Sequence, residues 1–528
     1  MRPTVVLLVL ATVLMWPLGC PAQTDYSLRI RSLDVTFAGL LDDFLTDVYL
    51  NPARVSEVER PIVYAVKMPG RRVECVYPMM EKRGSSVWVE SGYDNLTFGI
   101  NPVGVSVFGS VKGRIGVALG SEIGLSASEH WTENPYVWDQ GTSVHIEERG
   151  YGGRSDLQHY VVDLAVAPLK DHGTMGIRFK GAYDRIDDVN LRVERDFGWR
   201  LADPGNPFES YKSDHGDRCY EKLALSMSAG FFRGDALLRD AVIGASYIDE
   251  TATERINYLS FLDEDPDGNG VPHPDYSYDS YYGATTVASD RCYTGFGGFL
   301  RAHLGWTEHV RSVLSTSWSR SSGDGGSAVR DEYENSTSST EEDLAYDNDG
   351  TVDRIQAECS VGYHEMLFDD VLVAFAAHGY FARTTFDEDG GGELSVYRSA
   401  IGVPYTSPYR QRHDDVGDLY RLSIPIGVEW SFHKYAKLRV GAALFAVRTK
   451  TARMLTNNAE EIFGSDVDTG GFGFDERYEN HDSSVDARFN NGLEININGR
   501  FILDLAGSVS TYSMELANFY YLSARFVF

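Results

Sequence analysis

Charged side chains recur at every second position along several stretches of the chain. In the segment 485–497, for example, Asp486, Arg488 and Glu494 alternate with apolar residues. Successive side chains of a β-strand point to opposite faces, so these stretches predict strands with one apolar and one charged face. The charged face could select polar solutes, or it could hold the interior together through salt bridges. Twelve residues are predicted to line this interior: Arg178, Lys180, Glu358, Arg421, Glu429, Lys437, Arg439, Asp486, Arg488, Glu494, Asp504 and Arg525.

A second pattern could bind a metal ion. Asp263, Asp265, Asp267 and Asn269 place oxygen donors at alternate positions beside glycines, as in the first half of a calcium loop. The glutamate expected at the twelfth position is missing, because Pro274 stands there. The segment is therefore interpreted either as a calcium site or as a solvated acidic loop, and no other cofactor is required.

The usual enzyme motifs are missing from the sequence. The chain contains no GxSxG nucleophile elbow, no HExxH zinc motif and no phosphate-binding glycine loop before a helix. We therefore predict that the protein is not an enzyme.

Composition narrows the class of protein further. The formal net charge is −29 over 528 residues, which argues against nucleic acid as a partner because phosphate binding needs a basic surface. The mean hydropathy of −0.27 is too low for a helical membrane protein. The apolar run Thr4–Gly19 resembles a signal-peptide core, with cleavage after Ala22. The alternative is a lipoprotein signal with Cys20 as the lipidated residue.

Widely spaced cysteines give little guidance. No CxxC pair occurs, so a zinc site is not expected. A disulfide between Cys219 and Cys292 is possible in an oxidising compartment, and scattered free thiols are the alternative.

Hairpins give the strongest evidence for the fold. The apolar residues fall on odd positions both before and after Asn498-Gly499-Arg500, so the register pairs Ile497 with Phe501. Gly499 can supply the positive φ that such a turn needs. Short connections of this kind alternate with long polar segments, which is the layout of a membrane β-barrel. The short ones lie near 170–173, 233–235, 307–309, 368–370, 433–435 and 498–500, and the long ones near 128–155, 188–216, 255–285, 320–350, 384–415 and 453–482.

The predicted fold class is all-β. About fourteen strands follow Arg114, and residues 61–111 add two more strands or form an insert in the lumen. We therefore expect an antiparallel transmembrane β-barrel of about 14–16 strands with a short N-terminal helical or plug segment. The predicted organisation is a signal peptide (1–22), a periplasmic or plug segment (23–60) and the barrel (61–528), with its core from about residue 114.

Two local resemblances support this fold. The final strand places Tyr520, Leu522, Phe526 and Phe528 on one face, which resembles the terminal assembly signal of bacterial outer-membrane proteins. The early Asn51-Pro52-Ala53 is similar to the start of the fatty-acid-transporter (FadL-like) barrels and their PorV-like relatives. That resemblance implies a segment folded into the lumen, and by periodicity Val35–Val48 forms a short amphipathic helix.

The sequence therefore predicts a barrel in the outer membrane of a Gram-negative-type bacterium. Its expected partners are the lipid bilayer, the barrel assembly machinery and a small solute. The predicted function is a channel or transporter for small or hydrophobic solutes. The alternative is a non-conducting anchor or scaffold that displays acidic surface loops.

Overall fold

The fold is almost entirely β-strand. The computed structural model describes residues 27–58, 60–67, 79–83, 86–111, 114–139, 143–168, 174–200, 203–233, 237–263, 281–335, 339–398, 405–458, 476–510 and 519–528. The predicted signal peptide, Cys20 and Cys75 lie outside these ranges. Within them, no helix is long and apolar enough to cross a membrane.

A short helical segment precedes the strands. It contains helices α1 (Leu28–Leu33) and α2 (Phe44–Leu50) and two 3₁₀ turns, Val35–Phe37 and Pro52–Glu57. The single helix predicted over Val35–Val48 is therefore wrong in its bounds, because Gly39 has a φ of 78° and interrupts the helical backbone. The strands that follow are β1 (Ile62–Lys67), β2 (Met79–Arg83), β3 (Ser86–Val111), β4 (Ile115–Asp139), β5 (Ser143–Pro168), β6 (Thr174–Arg200), β7 (Asp203–Phe232), β8 (Leu238–Asp263), β9 (Tyr281–Gly305), β10 (Val310–Asn335), β11 (Ser339–Leu367), β12 (Val371–Arg398), β13 (Tyr405–His433), β14 (Ala436–Asn457), β15 (Glu476–Ile497), β16 (Phe501–Ser510) and β17 (Phe519–Val527).

Antiparallel pairing closes these strands into a barrel. Each strand from β3 to β17 pairs with its neighbour in the chain, and β1 joins the two ends by pairing with β17 and with β3. The short strands β1 and β2 pair with opposite ends of β3, since Ile62 faces Phe108 and Met79 faces Glu90. The two short strands therefore occupy one position in the order of strands around the barrel. This gives a closed barrel of 16 strands. The predicted count of about 14–16 strands is confirmed, and of the two alternatives for residues 61–111 the described residues there form wall strands.

The predicted hairpin register is also confirmed. Ile497 faces Phe501 across the turn between β15 and β16. Asn498 and Gly499 both have positive φ, at 60° and 66°. Both residue types enter the left-handed region more readily than most, so the local sequence specifies this turn.

An apolar belt surrounds the outside of the barrel. On β13, Leu422, Ile424 and Ile426 are exposed while alternate residues along the strand point inward. Tyr420 and Trp430 lie ten positions apart on the same outer face, which spans about 26 Å for a strand tilted by about 40°. This height matches the apolar band of a membrane barrel. Exposed aromatic residues mark the rim with the short turns: Trp306, Phe368, Trp430, Phe432 and Tyr435.

The long polar segments differ from what the sequence predicts. The prediction of loops is wrong for most of these residues, because they continue the strands, so that β4 reaches Asp139 before β5 starts at Ser143. Strands of 22–30 residues result on β3 to β15, far longer than a bilayer requires. Beyond the membrane, both faces of each strand are in contact with water. These Gly- and Asp-rich segments can therefore form strands without alternating apolar residues. Residues 264–280 and 459–475, within two of these segments, lie outside the described residues.

The possible disulfide between Cys219 and Cys292 does not form. Cys219 on β7 and Cys292 on β9 are separated by β8, where they face Thr253 and Thr251. Among the described cysteines, Cys219, Cys292 and Cys359 are free thiols.

Candidate functional site: an internal plug and the cavity beside it

The helical segment lies inside the barrel, and we call it the plug (residues 27–58). Most of its apolar side chains are buried, and Leu28, Leu33 and Phe37 are at most 1% exposed. They pack against inward-facing residues of the wall such as Phe108 and Ala374. These wall residues are near the short-turn ends of their strands, so the plug fills that end of the lumen.

Side-chain caps fix the short helices of the plug. The Ser27 side chain accepts from the backbone N–H of Ile30 at the start of α1, and that of Asp43 accepts from Thr46 at the start of α2. Asn51 caps the second 3₁₀ turn, with Pro52 in its first turn. Such caps satisfy backbone donors that an isolated short helix would leave unpaired.

The Asn51-Pro52-Ala53 motif attaches the plug to the wall. Asn51 Nδ2 donates to the carbonyl of Phe231 at 2.9 Å, and its Oδ1 accepts from Ala53 N at 2.9 Å. Thr174 Oγ1 donates to the Ala53 carbonyl at 3.3 Å. The motif therefore docks against β6 and β7, inside the barrel, as its resemblance to lumen segments implies.

Glycines of the wall leave room for the plug backbone. A Cβ built on Gly176 would lie 2.5 Å from Ala53 N, and one on Gly441 would overlap the carbonyl group of Leu33. No side chain fits at such a close approach of two backbones. Further glycines that touch the plug are on other strands around the barrel: Gly116, Gly230, Gly362, Gly427 and Gly492.

This close packing gives a matched pair of variants. Gly441→Ala should displace the plug, because its methyl group would occupy the position of the Leu33 carbonyl. Gly417→Ala should have no effect, since nothing lies within 4 Å of that Cβ. Trypsin cleavage at Arg29, Arg31 or Arg54 in detergent-purified protein reports plug exposure. Equal cleavage rates in the two variants would contradict this docking of the plug.

Charged residues of the plug and wall form one ion network. Arg439 is fully buried, and its guanidinium donates to Glu429 at 2.7 Å, to Asp504 at 2.8 Å and to Glu494. Arg29 of the plug donates to the same Glu429 through Nε at 2.8 Å and through Nη2 at 3.3 Å. Lys437 Nζ lies 3.8 Å from both Glu429 and Glu494. Three cations thus meet these three carboxylates and Asp43, which lies 4.0 Å from Arg29 Nη1; Arg29 and Asp43 come from the plug.

A second ion pair, next to Arg29 in the plug, ties the plug to another part of the wall. Asp42 accepts from Arg311 Nη2 at 2.6 Å, and Arg239 lies 3.9 Å away. Burial acts to raise the pKa of the Asp42 carboxyl, but the hydrogen bond and charge of Arg311 hold that pKa below its ordinary value. Sequence reasoning missed Arg29 and Asp42, because short irregular segments carry no periodic signal, and it missed Arg311 at the start of β10, where the serine-rich sequence alternates only weakly.

A cavity of about 320 Å³ borders the plug inside the barrel. Tyr49 and Leu50, at the end of α2, form its floor, and strands β6 to β12 supply its wall. The predicted interior residues Arg178, Lys180 and Glu358 all line it. Its other inward-facing lining residues are Ser226, Ser228, Val242, Arg301, Ser315, Ser317, Gln356 and Tyr380.

The remaining predicted interior residues lie elsewhere along the wall. The Arg421 guanidinium lies 5.3 Å from the centre of the Tyr380 ring, and that of Arg488 lies 5.0 Å from the Phe445 ring. Asp486 is half-buried opposite Phe445 on β14, and Arg525 faces Tyr64 of β1. None of these four residues is among those that line the cavity.

A larger hollow of about 940 Å³ crosses strands β9 to β15. Its lining consists mostly of outward-facing apolar residues such as Leu300, Leu314 and Leu422, which are about half exposed. It therefore belongs to the lipid-facing belt and not to the lumen.

The calcium pattern remains a prediction. Asp265, Asp267 and Asn269 lie outside the described residues, and of Asp263 only the strand assignment is described. Within the described part of the chain, no group of three His, Cys, Asp or Glu side chains is arranged to hold a metal ion.

Comparison with known proteins gives matches among solved structures only. No protein-family model and no curated protein matches the chain. The Ralstonia pickettii toluene transporter TbuX is 11% identical, with 92% of this chain and 93% of that chain covered and a TM-score of 0.31. The P. putida toluene transporter TodX is 10% identical, with 90% and 92% covered and a TM-score of 0.29. The ferric-catecholate import receptor Fiu of E. coli K12 is 9% identical, with 89% and 82% covered and a TM-score of 0.26.

The class of protein follows from the barrel and its plug. The chain is a closed 16-strand antiparallel β-barrel of the transmembrane kind, with a short helical plug inside.

Proposed function

We propose that the protein is an outer-membrane channel for small solutes whose lumen is restricted by its own N-terminal plug. The observation that carries this proposal is the cavity, lined by charged, hydroxyl and apolar side chains, that the plug and seven strands enclose inside the barrel. A barrel of this size leaves an aqueous lumen unless something fills it. The plug fills only one end, beneath that cavity.

Several further expectations belong to the same proposal. The apolar belt supports a position in the outer-membrane bilayer of a Gram-negative-type bacterium, and the strand from Tyr520 to Phe528 serves as the signal for the barrel assembly machinery. Hydrophobic solutes belong to the same proposal, since Leu50 and Val242 line the cavity beside its charged residues. Calcium ordering of the loop at Asp263–Asn269 stays an independent prediction.

Solute flux tests the channel against the alternative of a non-conducting anchor. The purified protein should make liposomes permeable to small neutral solutes, with permeability falling as solute size rises. Liposomes with heat-denatured protein are the control. The rate at which the liposomes swell in each solute measures this permeability. Swelling no faster than in the control would favour the non-conducting anchor or scaffold instead.

A further inference from the structure

The outer wall of the barrel is indented across seven strands. The outward-facing residues that line the hollow of about 940 Å³ lie on two adjacent cross-strand rows between β9 and β15. The row nearer the short-turn rim runs from Ala302 to Val485, and the other runs from Leu300 to Ser483. A convex wall would enclose no such volume. These two rows therefore form a groove, which we call the outer groove.

Small side chains form the floor of the outer groove. Ala357 and Cys359 on β11 and Gly379 on β12 lie at its centre, between Leu314 on β10 and Leu422 on β13. A Cβ built on Gly379 would meet nothing within 4 Å. The floor therefore leaves space for an apolar chain that lies along the rows, and a larger side chain at Gly379 would fill that space.

The groove descends from one surface of the membrane. Arg448 faces Tyr420 at the edge of the apolar belt, twelve residues from the short-turn end of β14 at Ala436, whereas Leu300 is five residues from that of β9 at Gly305. Five strand spacings of about 4.8 Å separate them, or about 24 Å along the row. At a strand tilt of about 40° the row falls by about 15 Å, half of a hydrocarbon core of about 30 Å. The groove thus spans one leaflet, with Arg448 at its headgroup end.

Arg448 supplies a positive charge at that end. It is exposed, and within the described part of the chain its guanidinium forms no ion pair. Its outward-facing neighbours have carboxylate partners, since Arg383 Nε lies 2.7 Å from Asp418 and Lys450 Nζ lies 3.1 Å from Glu479. On the outer face of β12 to β15, Arg448 is therefore the uncompensated cation at this level among the described residues. Guanidinium groups bind phosphate oxygens through two parallel hydrogen bonds.

We propose that the outer groove is a binding site for a single anionic lipid, whose phosphate contacts Arg448 and whose acyl chain lies over Gly379 toward Leu300. The positive charge selects the headgroup, and the depth of one leaflet matches one acyl chain. Basic residues at the membrane surface attract anionic lipids in the same way. Such a site does not depend on whether the lumen conducts.

Two lipids with the same chains and different headgroups test the site. Cys359 reports occupancy because its thiol is exposed in the groove, and Cys292, exposed outside the groove, is the internal control. In detergent-purified full-length protein, dioleoylphosphatidylglycerol should slow alkylation of Cys359 at about one tenth of the concentration that zwitterionic dioleoylphosphatidylcholine needs. Neither lipid should affect Cys292, and inorganic phosphate alone should not protect Cys359.

Variants separate the two ends of the site. Arg448→Gln should remove the preference for phosphatidylglycerol, and Arg448→Lys, which keeps the charge, should retain most of it. Lys434→Gln, at the short-turn rim, removes one positive charge elsewhere and is the matched control. Gly379→Leu should fill the groove, so that neither lipid changes the alkylation rate of Cys359. Gly109→Leu, at a β3 glycine whose Cβ would also meet nothing within 4 Å, should behave like the wild type.

Each other outcome overturns the inference. Equal protection by both lipids in the wild type refutes the site without any variant that has to fold. An unchanged preference in Arg448→Gln, or lipid-dependent alkylation in Gly379→Leu with normal heat-modifiable mobility, would refute it as well. Protection that rises with protein concentration and not with added lipid would assign the groove to a second copy of the chain.

Discussion

Replacing Arg439 by methionine should strongly destabilise the barrel. Arg439 is fully buried and contacts Glu429, Glu494 and Asp504. Its loss leaves three buried carboxylates without the cation that contacts all of them, so that Arg29, Lys437 and Arg525 must compensate for three negative charges. Removing one partner from a buried ion pair typically costs about 3–5 kcal/mol. The expected result is a markedly lower temperature for the heat-modifiable gel shift.

A matched substitution separates this effect from a general loss of charge. Lys450 on β14 pairs with Glu479, but both side chains are almost half exposed. Exposed pairs contribute about 0–1 kcal/mol, so Lys450→Met should leave the transition nearly unchanged. A triple variant that also carries Glu429→Gln and Glu494→Gln should recover part of the loss. If Arg439→Met unfolds at the same temperature as the wild type, the network does not stabilise the barrel.

Deleting Phe526–Phe528 should prevent membrane insertion while export continues. Phe526 and Val527 pair with Val63 and Ile62, and Phe528 N donates to the Pro61 carbonyl at 3.0 Å. The Phe526 ring also packs on that of Phe501, with ring centres 4.6 Å apart. Without these residues the barrel has an open edge, whose backbone groups cannot be satisfied in lipid. The truncated protein should accumulate in the periplasm or be degraded.

Fractionation with gel mobility measures this outcome. A control in which Phe526 and Phe528 are replaced by tyrosine keeps the aromatic rings and the backbone pairing, so it should insert normally. Normal outer-membrane levels of the truncated protein, with normal heat-modifiable mobility, would contradict the assigned role of the last strand.

Much of the barrel could be predicted from the sequence, because its strands and turns are determined by residues close to one another in the chain. The alternation of side chains determined which face of β13 and β15 is apolar, and Asn498-Gly499 specified both the turn and the register of Ile497 with Phe501. The last strand pairs with the first, as expected for a closed barrel. These features depend on neighbouring residues, so one sequence is enough to infer them.

The length of the strands and the contacts of the plug were not predictable in the same way. In polar segments such as 320–350, apolar and polar residues no longer alternate, because both faces of the strand are in contact with water. The sequence of a strand cannot be distinguished from that of a loop there. Arg29 and Glu429 are 400 positions apart, and no periodicity links them. One signal was visible, however: inward positions near the short turns carry glycines such as Gly427, Gly441 and Gly492, which indicates a close backbone approach.

The conductance of a plug-deleted protein tests the central claim most directly. Deleting residues 35–53 removes α2 and most of the apolar residues of the plug. It also removes the hydrogen bonds of the plug to Arg311 and to the Phe231 carbonyl. In planar bilayers the full-length protein should show small or rare openings. The deletion variant, if it keeps its heat-modifiable mobility, should show steady unitary currents of porin-like size, because an emptied 16-strand barrel encloses an aqueous lumen. Unchanged conductance in a correctly folded deletion variant would show that the segment does not restrict the lumen.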